Sequence, residues 1–343
     1  MNLCQLEVVE NDISMFACKG LEFSQFGKPR DVLEFKADAQ ILQALGPEEV
    51  LVRILAAPMN PADLNVIEGT YGVKPSLPAR PGIEGFGVVE VSNSVDFKAK
   101  DRVIFLRRAA TWASYVIVSA DALYQLPAGI DPLQAAMLKV NPATAWQLLH
   151  GFGALEKGDW IIQNAGNSAV GRCVIQIARD LGIRTISFAR RSEVIDDLRE
   201  LGADQIFNDD DSGFAAAIDV LGGANAALAF NAVGGESALR LMKLLRESGT
   251  HITYGAMSRK PLTIPNGLMI FRDLQLRGLW VSRWLDSAPH DEVIKVYDNL
   301  VSHVITGKLV QPVDSTHLLE DYHHAFDRLE APDRAGKVLF VPR

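Results

Sequence analysis

The sequence predicts an α/β protein that combines a doubly wound parallel sheet with a β-rich domain. Short strand-like segments follow one another closely before residue 126, whereas strands and helices alternate from residue 126 to about residue 309. Such alternation is typical of a parallel sheet covered by helices on both faces. The chain has 343 residues, a length that predicts about two domains. We therefore expect one domain of residues 1–125 together with 310–343, and a second of residues 126–309.

The β-rich domain is predicted from strand-like segments at residues 48–57, 85–94, 101–108 and 112–120. Most of these segments leave no room for a helix between them, which favours an antiparallel or barrel-like sheet. Prolines crowd the chain between the first two segments, from Pro58 to Pro81. That composition predicts a long loop with one short helix, and long structured loops often carry function.

The parallel sheet is predicted from strands at residues 160–162, 185–189, 206–207, 226–231, 249–254 and 274–281. Apolar residues at helical spacing predict helices on both sides of Pro142, and again at residues 170–181 and 194–201. The tail returns to short elements from about Lys308 and ends in a strand-like segment at residues 337–341. We expect this tail to pack against the first domain.

Composition excludes several classes of protein. The net charge of −8 argues against neutralisation of nucleic-acid phosphates, so no nucleic-acid partner is expected. No apolar run of about 18 residues occurs, so no membrane-spanning segment is expected. Cys4, Cys18 and Cys173 are too scattered for a disulfide framework or a zinc ribbon and fit a reducing compartment. Because the N-terminus also lacks a basic region followed by an apolar run, we expect a cytoplasmic protein.

Residues 164–171, with the sequence NAGNSAVG, lie between a predicted strand and a predicted helix. This is the context of the dinucleotide-binding turn of a Rossmann domain, where a helix N-terminus faces a pyrophosphate. Gly166 and Gly171 are present, but Ser168 and Ala169 stand where glycines are commoner. Small residues still allow close approach, and the Ser168 hydroxyl could bond a phosphate. The alternative is an ordinary turn capped by Asn167 or Ser168.

The next strand predicts which dinucleotide binds. An NAD site usually has an acidic residue about 20 residues beyond the turn, where it holds the ribose hydroxyls. Here the strand ends in Arg190-Arg191-Ser192. Two guanidinium groups suit a 2′-phosphate through charge-assisted bidentate hydrogen bonds, so NADPH is the expected cofactor. The alternative is a solvated basic pair at the start of a helix.

The chain resembles the medium-chain dehydrogenase/reductase superfamily over essentially its whole length. The matching motifs are MNPADLNVIEGTYG (59–72), VNPATA (140–145), NAGNSAVG (164–171), TYGAM (253–257) and LRGLWVSRW (276–284). They are most similar to the zinc-independent 2-enoyl thioester reductases of the mitochondrial enoyl-CoA reductase type. Related quinone reductases usually lack the paired tryptophans and the NPADLN…Y spacing. The resemblance implies a GroES-like first domain completed by the C-terminal tail, and a Rossmann NADPH-binding domain.

The resemblance also assigns roles to individual residues. Tyr71 matches the active-site tyrosine of the family, although a loop tyrosine without catalytic function is the alternative. The cofactor-binding positions implied are Asn141, Asn167, Ser168, Ala169, Val170, Arg190, Arg191, Ser192, Tyr254, Gly255, Ala256, Met257, Leu279, Trp280, Val281 and Lys337. Some of these residues also have ordinary structural explanations: a strand end and turn at Tyr254-Gly255, an apolar strand at 279–281, and an edge residue at Lys337. Asn60 and Asn65 are either helix caps or part of the site lining.

No metal site is expected. Zinc-dependent members of the superfamily use a Cys ligand where this chain has Asn60, and a His–Glu pair where it has Ile83-Glu84. Neither a catalytic nor a structural zinc site can be assembled from three distant cysteines.

The expected activity is therefore the NADPH-dependent reduction of trans-2-enoyl thioesters without a metal. A quinone or general enone reductase is the alternative, and a non-enzymatic NADPH-binding protein is a third possibility. The expected partners are a small-molecule substrate (an enoyl-CoA, an enoyl-acyl carrier protein or a quinone) and a second copy of the chain. The homodimer is predicted from segment 274–281, which would be an exposed, long and apolar sheet edge in a monomer.

Overall fold

A computed structural model describes residues 8–9, 13–41, 45–223 and 225–342. It confirms the predicted fold class, with a β-rich part and a parallel sheet covered by helices. The chain divides into two compact units, residues 1–139 with 311–343 and residues 140–310. None of the helices in the described ranges is long and apolar enough to cross a membrane.

The strands are, in chain order, β1 (Val8–Val9), β2 (Ile13–Phe23), β3 (Leu33–Ile41), β4 (Glu49–Pro58), β5 (Phe86–Ser92), β6 (Arg102–Phe105), β7 (Tyr115–Ser119), β8 (Leu123–Gln125), β9 (Trp160–Gln163), β10 (Arg184–Ala189), β11 (Gln205–Asn208), β12 (Ala226–Asn231), β13 (Leu245–Thr253), β14 (Gln275–Gly278), β15 (Val313–His317) and β16 (Lys337–Phe340). The helices are α1 (Pro29–Val32), α2 (Pro61–Glu68), α3 (Pro132–Ala136), α4 (Asn141–His150), α5 (Ala169–Leu181), α6 (Ile195–Glu200), α7 (Asp211–Leu221), α8 (Gly235–Lys243), α9 (Asn266–Arg272), α10 (Val281–Ser287), α11 (His290–Ile305) and α12 (Tyr322–Glu330). Short 3₁₀ helices lie at Ala120–Ala122, Ser192–Val194 and Leu319–Asp321.

The first unit contains an antiparallel sheet, β1-β2-β3, and a second sheet in the order β15-β16-β4-β5-β6-β8, with β7 also paired to β4. Its core surrounds Trp112, whose ring meets Phe340 edge-on at 5.1 Å between centroids. Strand β16 pairs antiparallel with β4. The tail therefore returns to this unit, as the sequence predicted.

The first unit extends past the predicted boundary at residues 125/126 and includes helix α3. Gln134 on this helix donates to the Gln311 carbonyl at 2.8 Å and accepts from the Gln311 amide at 2.9 Å. Ala135 and Ala136 are buried. Helix α3 belongs to the first unit because it is bonded to the returning tail. Helical periodicity alone could not indicate this, since it carries no information about distant contacts.

The second unit is built on one six-stranded sheet in the order β11-β10-β9-β12-β13-β14, and all of its pairings are parallel. This is the 3-2-1-4-5-6 order of a Rossmann domain. Strand order reverses on the two sides of β9, so the carboxyl ends of β9 and β12 flank the crevice in which such sheets bind ligands.

The predicted strand at residues 274–281 is wrong in its length. Strand β14 contains only four residues and is mostly exposed, although it does lie at the edge of the sheet. Pairing ends after Leu279, whose amide donates to the Thr253 carbonyl at 3.0 Å. Val281 is buried at the start of helix α10, so its apolar character serves that helix and not a strand.

Candidate active site

Tyr71 is held at the end of helix α2 in the first unit. Gly69, with φ of 71°, ends the helix in a left-handed conformation that glycine adopts without strain. The Asn65 carbonyl then accepts from the amides of Thr70 at 2.8 Å and Tyr71 at 3.0 Å. The Tyr71 ring is partly buried against the core of this unit. Its position therefore depends on where α2 lies.

A buried polar cluster holds the other end of α2. Asn60 is the N-cap residue, and its amide N–H donates to the Asp63 carboxylate at 2.9 Å, as does the amide of Ile83. The Asn60 side chain donates from Nδ2 to Glu84 Oε1 at 2.7 Å and accepts at Oδ1 from the Lys337 ammonium. Asn60, Asp63, Glu84 and Lys337 are all buried. Burial raises the pKa of the Asp63 carboxyl to about 7.

The turn in the second unit connects β9 to helix α5. Ser168 is the N-cap residue, and its hydroxyl oxygen accepts from the Gly171 amide at 3.1 Å. A Cβ on Gly171 would lie 2.6 Å from the Gly166 carbonyl oxygen, and a Cβ on Gly166 would lie 2.8 Å from Ser187 Cβ. Glycine is therefore required at these two positions, whereas Ser168 and Ala169 fit without strain. The first amides of a helix lack partners within it, so this turn can bind an anion.

The two arginines follow β10, the strand beside β9. The Gly166 amide donates to the Phe188 carbonyl at 2.9 Å, which joins the turn to the end of β10. Arg190 and Arg191 come directly after that strand and are exposed. The side chain of Ser192 lies outside the described residues. The turn and the arginine pair thus share the carboxyl edge of the sheet.

The segments after β13 and β14 reach the same edge. The Tyr254 amide donates to the Asn231 carbonyl at 3.0 Å, and the Leu279 amide to the Thr253 carbonyl. The Tyr254 hydroxyl is buried beside the Ser168 side chain, without a hydrogen bond of good geometry to any described residue. Burial raises its pKa well above the usual value. Asn141 begins helix α4, and its buried Nδ2 has no hydrogen-bond partner in the described part of the chain.

A further network at this edge was missed by the sequence reasoning. Asn164 Nδ2 donates to Asn231 Oδ1 and to Ser237 Oγ, both at 2.8 Å, and Asn164 Oδ1 accepts from the Ala232 amide at 2.8 Å. All three side chains are buried. The signal was available, because each asparagine ends a buried strand of a parallel sheet, where ligand-binding edges form.

Comparisons with known proteins agree with this architecture. The model of the alcohol dehydrogenase GroES-like domain matches residues 46–128, and that of the zinc-binding dehydrogenase matches residues 169–300. The mitochondrial enoyl-[acyl-carrier-protein] reductase of Xenopus tropicalis is 37% identical over 98% of this chain and 99% of its own. The Homo sapiens enzyme of that name is 38% identical over 94% of this chain and 88% of its own.

Solved structures give the same result. The mitochondrial 2-enoyl thioester reductase Etr1p/Etr2p heterodimer from Candida tropicalis and the Etr1p/NADP/crotonyl-CoA complex each have 29% identity and a TM-score of 0.86, over 95% of this chain and 100% of theirs. The Pseudomonas syringae quinone oxidoreductase shares the fold, with a TM-score of 0.84 at 24% identity over 95% of this chain and 100% of its own. The chain belongs to the medium-chain dehydrogenase/reductase superfamily. It is an oxidoreductase of the family formed by these enoyl reductases.

The relatives contradict the predicted cytoplasmic location of this reductase. The curated enzymes that it matches are mitochondrial in animals and in Dictyostelium discoideum. The prediction depended on the composition of the first residues of the sequence, and that evidence carries no weight against these relatives.

A zinc ion does not fit the first unit of this reductase at the positions that the superfamily uses. Asn60 has both of its side-chain polar atoms occupied, one by Glu84 and one by Lys337. The Lys337 ammonium also lies 3.5 Å from the Met59 carbonyl, and its charge would repel a divalent cation. Among the residues described, no group of three or more His, Cys, Asp or Glu is arranged to hold a metal.

The structure brings together most of the predicted site residues of the second unit. Asn167–Val170 follow β9, Arg190–Ser192 follow β10, Tyr254–Met257 follow β13, and Leu279–Val281 follow β14, all at one edge of the parallel sheet. Lys337 is part of the first unit, where its ammonium donates to Asn60 Oδ1. Tyr71 lies in the first unit as well, and Asn60 proves to be a helix cap.

Proposed function

We propose that this reductase transfers a hydride from NADPH to the β-carbon of a trans-2-enoyl thioester and adds a proton at the α-carbon. The identity of about 37% with enoyl-[acyl-carrier-protein] reductases over nearly the whole chain carries the proposal. The 2-enoyl thioester reductase whose structure holds NADP and crotonyl-CoA supports it at 29% identity. Bound NADPH supplies the hydride, and the residues of this chain bind the cofactor, stabilise the developing negative charge and supply the proton.

The carboxyl edge of the second unit fits a dinucleotide. Asn167–Val170 would bind the pyrophosphate, since the amides of Ala169 and Val170 are the first of α5 and lie at its positive end, while the Ser168 amide donates to the Ala165 carbonyl. Arg190 and Arg191 would bind the 2′-phosphate. The unpartnered Asn141 Nδ2 is a buried donor that would bind the nicotinamide end. A donor of this kind costs stability unless a ligand satisfies it.

The remaining cofactor contacts are assigned to the segments that line the same edge. We assign Tyr254, Gly255, Ala256 and Met257, with Leu279, Trp280 and Val281, to the nicotinamide and its amide. The buried Tyr254 hydroxyl beside Ser168 supports this assignment, because it leaves a donor available next to the phosphate-binding turn.

Tyr71 is assigned to the substrate. Hydride addition to the β-carbon places negative charge on the thioester oxygen and the α-carbon, and this charge needs a donor and a proton. A tyrosine hydroxyl can donate a hydrogen bond to the oxygen and can supply the proton. The hydrogen bonds that the Thr70 and Tyr71 amides donate to the Asn65 carbonyl support a fixed position for this donor.

The decisive experiment measures NADPH oxidation with two acceptors. The purified chain is supplied with crotonyl-CoA and, separately, with a benzoquinone, each with NADPH or NADH. We expect the highest kcat/KM with crotonyl-CoA and NADPH. A preference for the quinone would make this chain a quinone reductase, and NADPH binding without turnover of any acceptor would make it a binding protein.

We further propose that the active reductase is a homodimer joined at the edge of the parallel sheet. Strand β14 pairs on one side only among the described residues, and the neighbouring helix α9 has no buried residue. Ile270 and Phe271 on α9 are 69% and 81% exposed, which is unusual for apolar side chains on a monomer surface. A second copy would pair the edge and cover these residues.

Light scattering tests the homodimer. At micromolar concentration the mass should be twice 37.5 kDa. Phe271→Glu should shift the equilibrium toward the monomer, because it would bury a charge at the contact. Ile218→Glu is the matched control, since Ile218 is also exposed but lies on α7. A monomer for the unmodified chain at these concentrations would disprove the proposal.

A further inference from the structure

We infer that Arg108 is a catalytic residue of the first unit, whose guanidinium stabilises the negative charge that forms on the thioester oxygen during the reaction. The inference rests on the proposed function, because it presumes that an enoyl thioester is reduced beside Tyr71. Arg108 lies in the loop that follows β6, outside the motifs that carry the family resemblance.

The loop of Arg108 is held in place on both sides of this residue. Before it, the Leu106 amide donates to the Ala122 carbonyl at 2.7 Å. After it, the Thr111 amide donates to the Gly82 carbonyl at 3.2 Å. A Cβ on Gly82 would lie 2.5 Å from the Thr111 amide nitrogen, so the loop is in direct contact with the segment that precedes β5. Arg108 is therefore presented from a fixed stretch of backbone.

The segment that precedes β5 also joins this loop to helix α2. The amide of Ile83, the residue after Gly82, donates to Asp63 Oδ1 at 2.9 Å. Asp63 lies in the first turn of α2, and Tyr71 follows the end of that helix. The loop that carries Arg108 and the helix that positions Tyr71 are thus bonded to the same two residues.

Arg108 carries a half-buried charge. Its guanidinium forms no hydrogen bond and no ion pair with the described part of the chain, although it interacts electrostatically with Asp63 and Tyr71. Burial lowers the pKa of Arg108, and the charges that Asp63 and Tyr71 carry when ionised oppose that effect. Both oxygens of Asp63 already accept backbone amides, so this carboxylate leaves the donors of the guanidinium available. An arginine stays protonated in proteins, so these donors carry a full positive charge.

The proposed reaction creates a negative charge beside Tyr71. Hydride addition forms a C–H bond at the β-carbon and moves the π electrons onto the α-carbon and the thioester oxygen. The Tyr71 hydroxyl then gives its proton to the α-carbon and is reprotonated from water. A fixed cation near the oxygen stabilises this enolate more than the neutral substrate, so it raises kcat with little effect on affinity. Arg108 thus adds a charge to the hydrogen bond that Tyr71 provides.

The test compares Arg108→Ala and Arg108→Lys with Arg107→Ala as the matched control. Arg107 is the preceding residue, is exposed, and pairs with Asp121 at 3.8 Å. Each variant is measured for kcat and KM with crotonyl-CoA, for NADPH Kd by fluorescence, and for Tm. The two alanine variants are also assayed with guanidinium chloride at millimolar concentration, far below the concentrations that unfold proteins.

We expect Arg108→Ala to lower kcat about 100-fold, which is the usual cost of removing one preorganised donor to a developing oxyanion. KM and NADPH Kd should stay within about twofold of the unmodified chain, because the contact forms in the transition state. Added guanidinium should restore part of the lost kcat. Arg108→Lys should be faster than Arg108→Ala, since it keeps the charge but not the planar fork. Arg107→Ala should keep a native kcat and show no response to guanidinium.

Other outcomes overturn the inference. A native kcat for Arg108→Ala with a lower Tm would make Arg108 a structural partner of Asp63. A higher KM or NADPH Kd with kcat preserved would make it a ground-state contact, and a loss of kcat that guanidinium does not restore would make the effect structural. If Arg108→Ala does not fold, Arg108→Gln replaces it, and a kcat for that variant within about twofold of native overturns the inference.

The experiment separates this inference from the proposed function. An unmodified chain that does not reduce crotonyl-CoA overturns the proposed function. An active unmodified chain with an equally active Arg108→Ala variant overturns the inference alone.

Discussion

The polar groups around helix α2 in the first unit satisfy one another, whereas two buried polar groups of the second unit lack a good hydrogen-bond partner among the described residues. Around helix α2, Asn60 uses both of its side-chain polar atoms within the protein, and Asp63 accepts two backbone amides. In the second unit, Asn141 Nδ2 at the start of α4 and the Tyr254 hydroxyl after β13 are buried and lack good partners among the described residues. The bonded groups around α2 hold that segment of chain in place. The unpartnered groups of the second unit are available to bind a ligand.

The difference separates groups that stabilise the fold from groups that bind. A satisfied buried group costs stability when it is removed, because its partners lose their hydrogen bonds. An unsatisfied buried donor already costs stability, so its removal does not destabilise the fold. Its removal does weaken binding of the ligand to which it would donate. The predictions below test this distinction, from the largest expected effect to the smallest.

Tyr71→Phe should give the largest effect, on kcat. Loss of one preorganised donor lowers kcat by about 100- to 1,000-fold, and water in place of the hydroxyl could limit the loss to about tenfold. NADPH Kd and Tm should not change, because the ring and its packing remain. Steady-state kinetics with crotonyl-CoA measure this. A native kcat in an assay limited by chemistry would return Tyr71 to a purely structural role.

Arg190→Ala should weaken NADPH binding by about 10- to 100-fold, because a charge-assisted hydrogen bond contributes about 1.5–3 kcal/mol. NADH binding should change little, since it has no 2′-phosphate. Fluorescence titration with both cofactors measures the ratio. Arg199→Ala is the control, an exposed arginine on α6 that pairs with Asp196. Equal losses for NADPH and NADH would show that Arg190 supports the fold.

His251 is a buried polar group on a central part of the second unit's sheet, outside the candidate site. It lies fully buried on β13, its ring nitrogens have no partner among the described residues, and burial lowers its pKa to about 4. Because the unfolded chain has a pKa near 6.5 at this residue, it binds more protons below that pH, and stability falls as pH drops from about 6.5 to 4.

The loss of stability from His251 should reach about 2 kcal/mol at pH 5. Urea unfolding at pH 7 and pH 5 measures it for the unmodified chain and for His251→Leu. The variant should lose less stability on acidification. His290→Gln, at the exposed start of α11, is the control. If His251→Leu keeps the full pH dependence, other groups are responsible.

Asn141→Leu should separate binding from stability. Loss of one neutral hydrogen bond of about 0.5–1.5 kcal/mol would raise NADPH Kd about 2- to 12-fold. The free energy of unfolding should stay the same or rise, because the buried donor had no protein partner. Asn231→Leu is the counterpart, since the Asn231 side chain is fully bonded, and it should lower stability. Equal destabilisation by both would remove the distinction between the two kinds of site.

EDTA treatment should have no effect on activity. Of the positions that hold zinc in metal-dependent members of the superfamily, Asn60 here accepts from the Lys337 ammonium and donates to Glu84. Activity with crotonyl-CoA is compared before and after exhaustive dialysis against EDTA. Loss of activity, restored by a stoichiometric metal, would contradict the pairing around Asn60.

Sequence reasoning succeeded where the signal was local. The turn at 164–171 was predicted from adjacent residues, and the clashes that a Cβ would make at Gly166 and Gly171 explain why these glycines remain while Ser168 and Ala169 are tolerated. It failed on the strand at 274–281, where an apolar run continued from a short edge strand into helix α10. Periodicity over three residues cannot separate those two structures.

The sequence by itself determined the fold class, the alternation of strands and helices in the second unit, and the arginine pair after β10, because each depends on residues near one another along the chain. Only the tertiary structure decided what surrounds Asn60. Lys337 lies 277 residues from Asn60 in sequence, and the two meet because β16 pairs with β4, the strand directly before α2. The tertiary structure also decided which donors stay unpartnered, since Asn141 and Asn231 are the same amino acid and differ only in the groups that the fold places beside them.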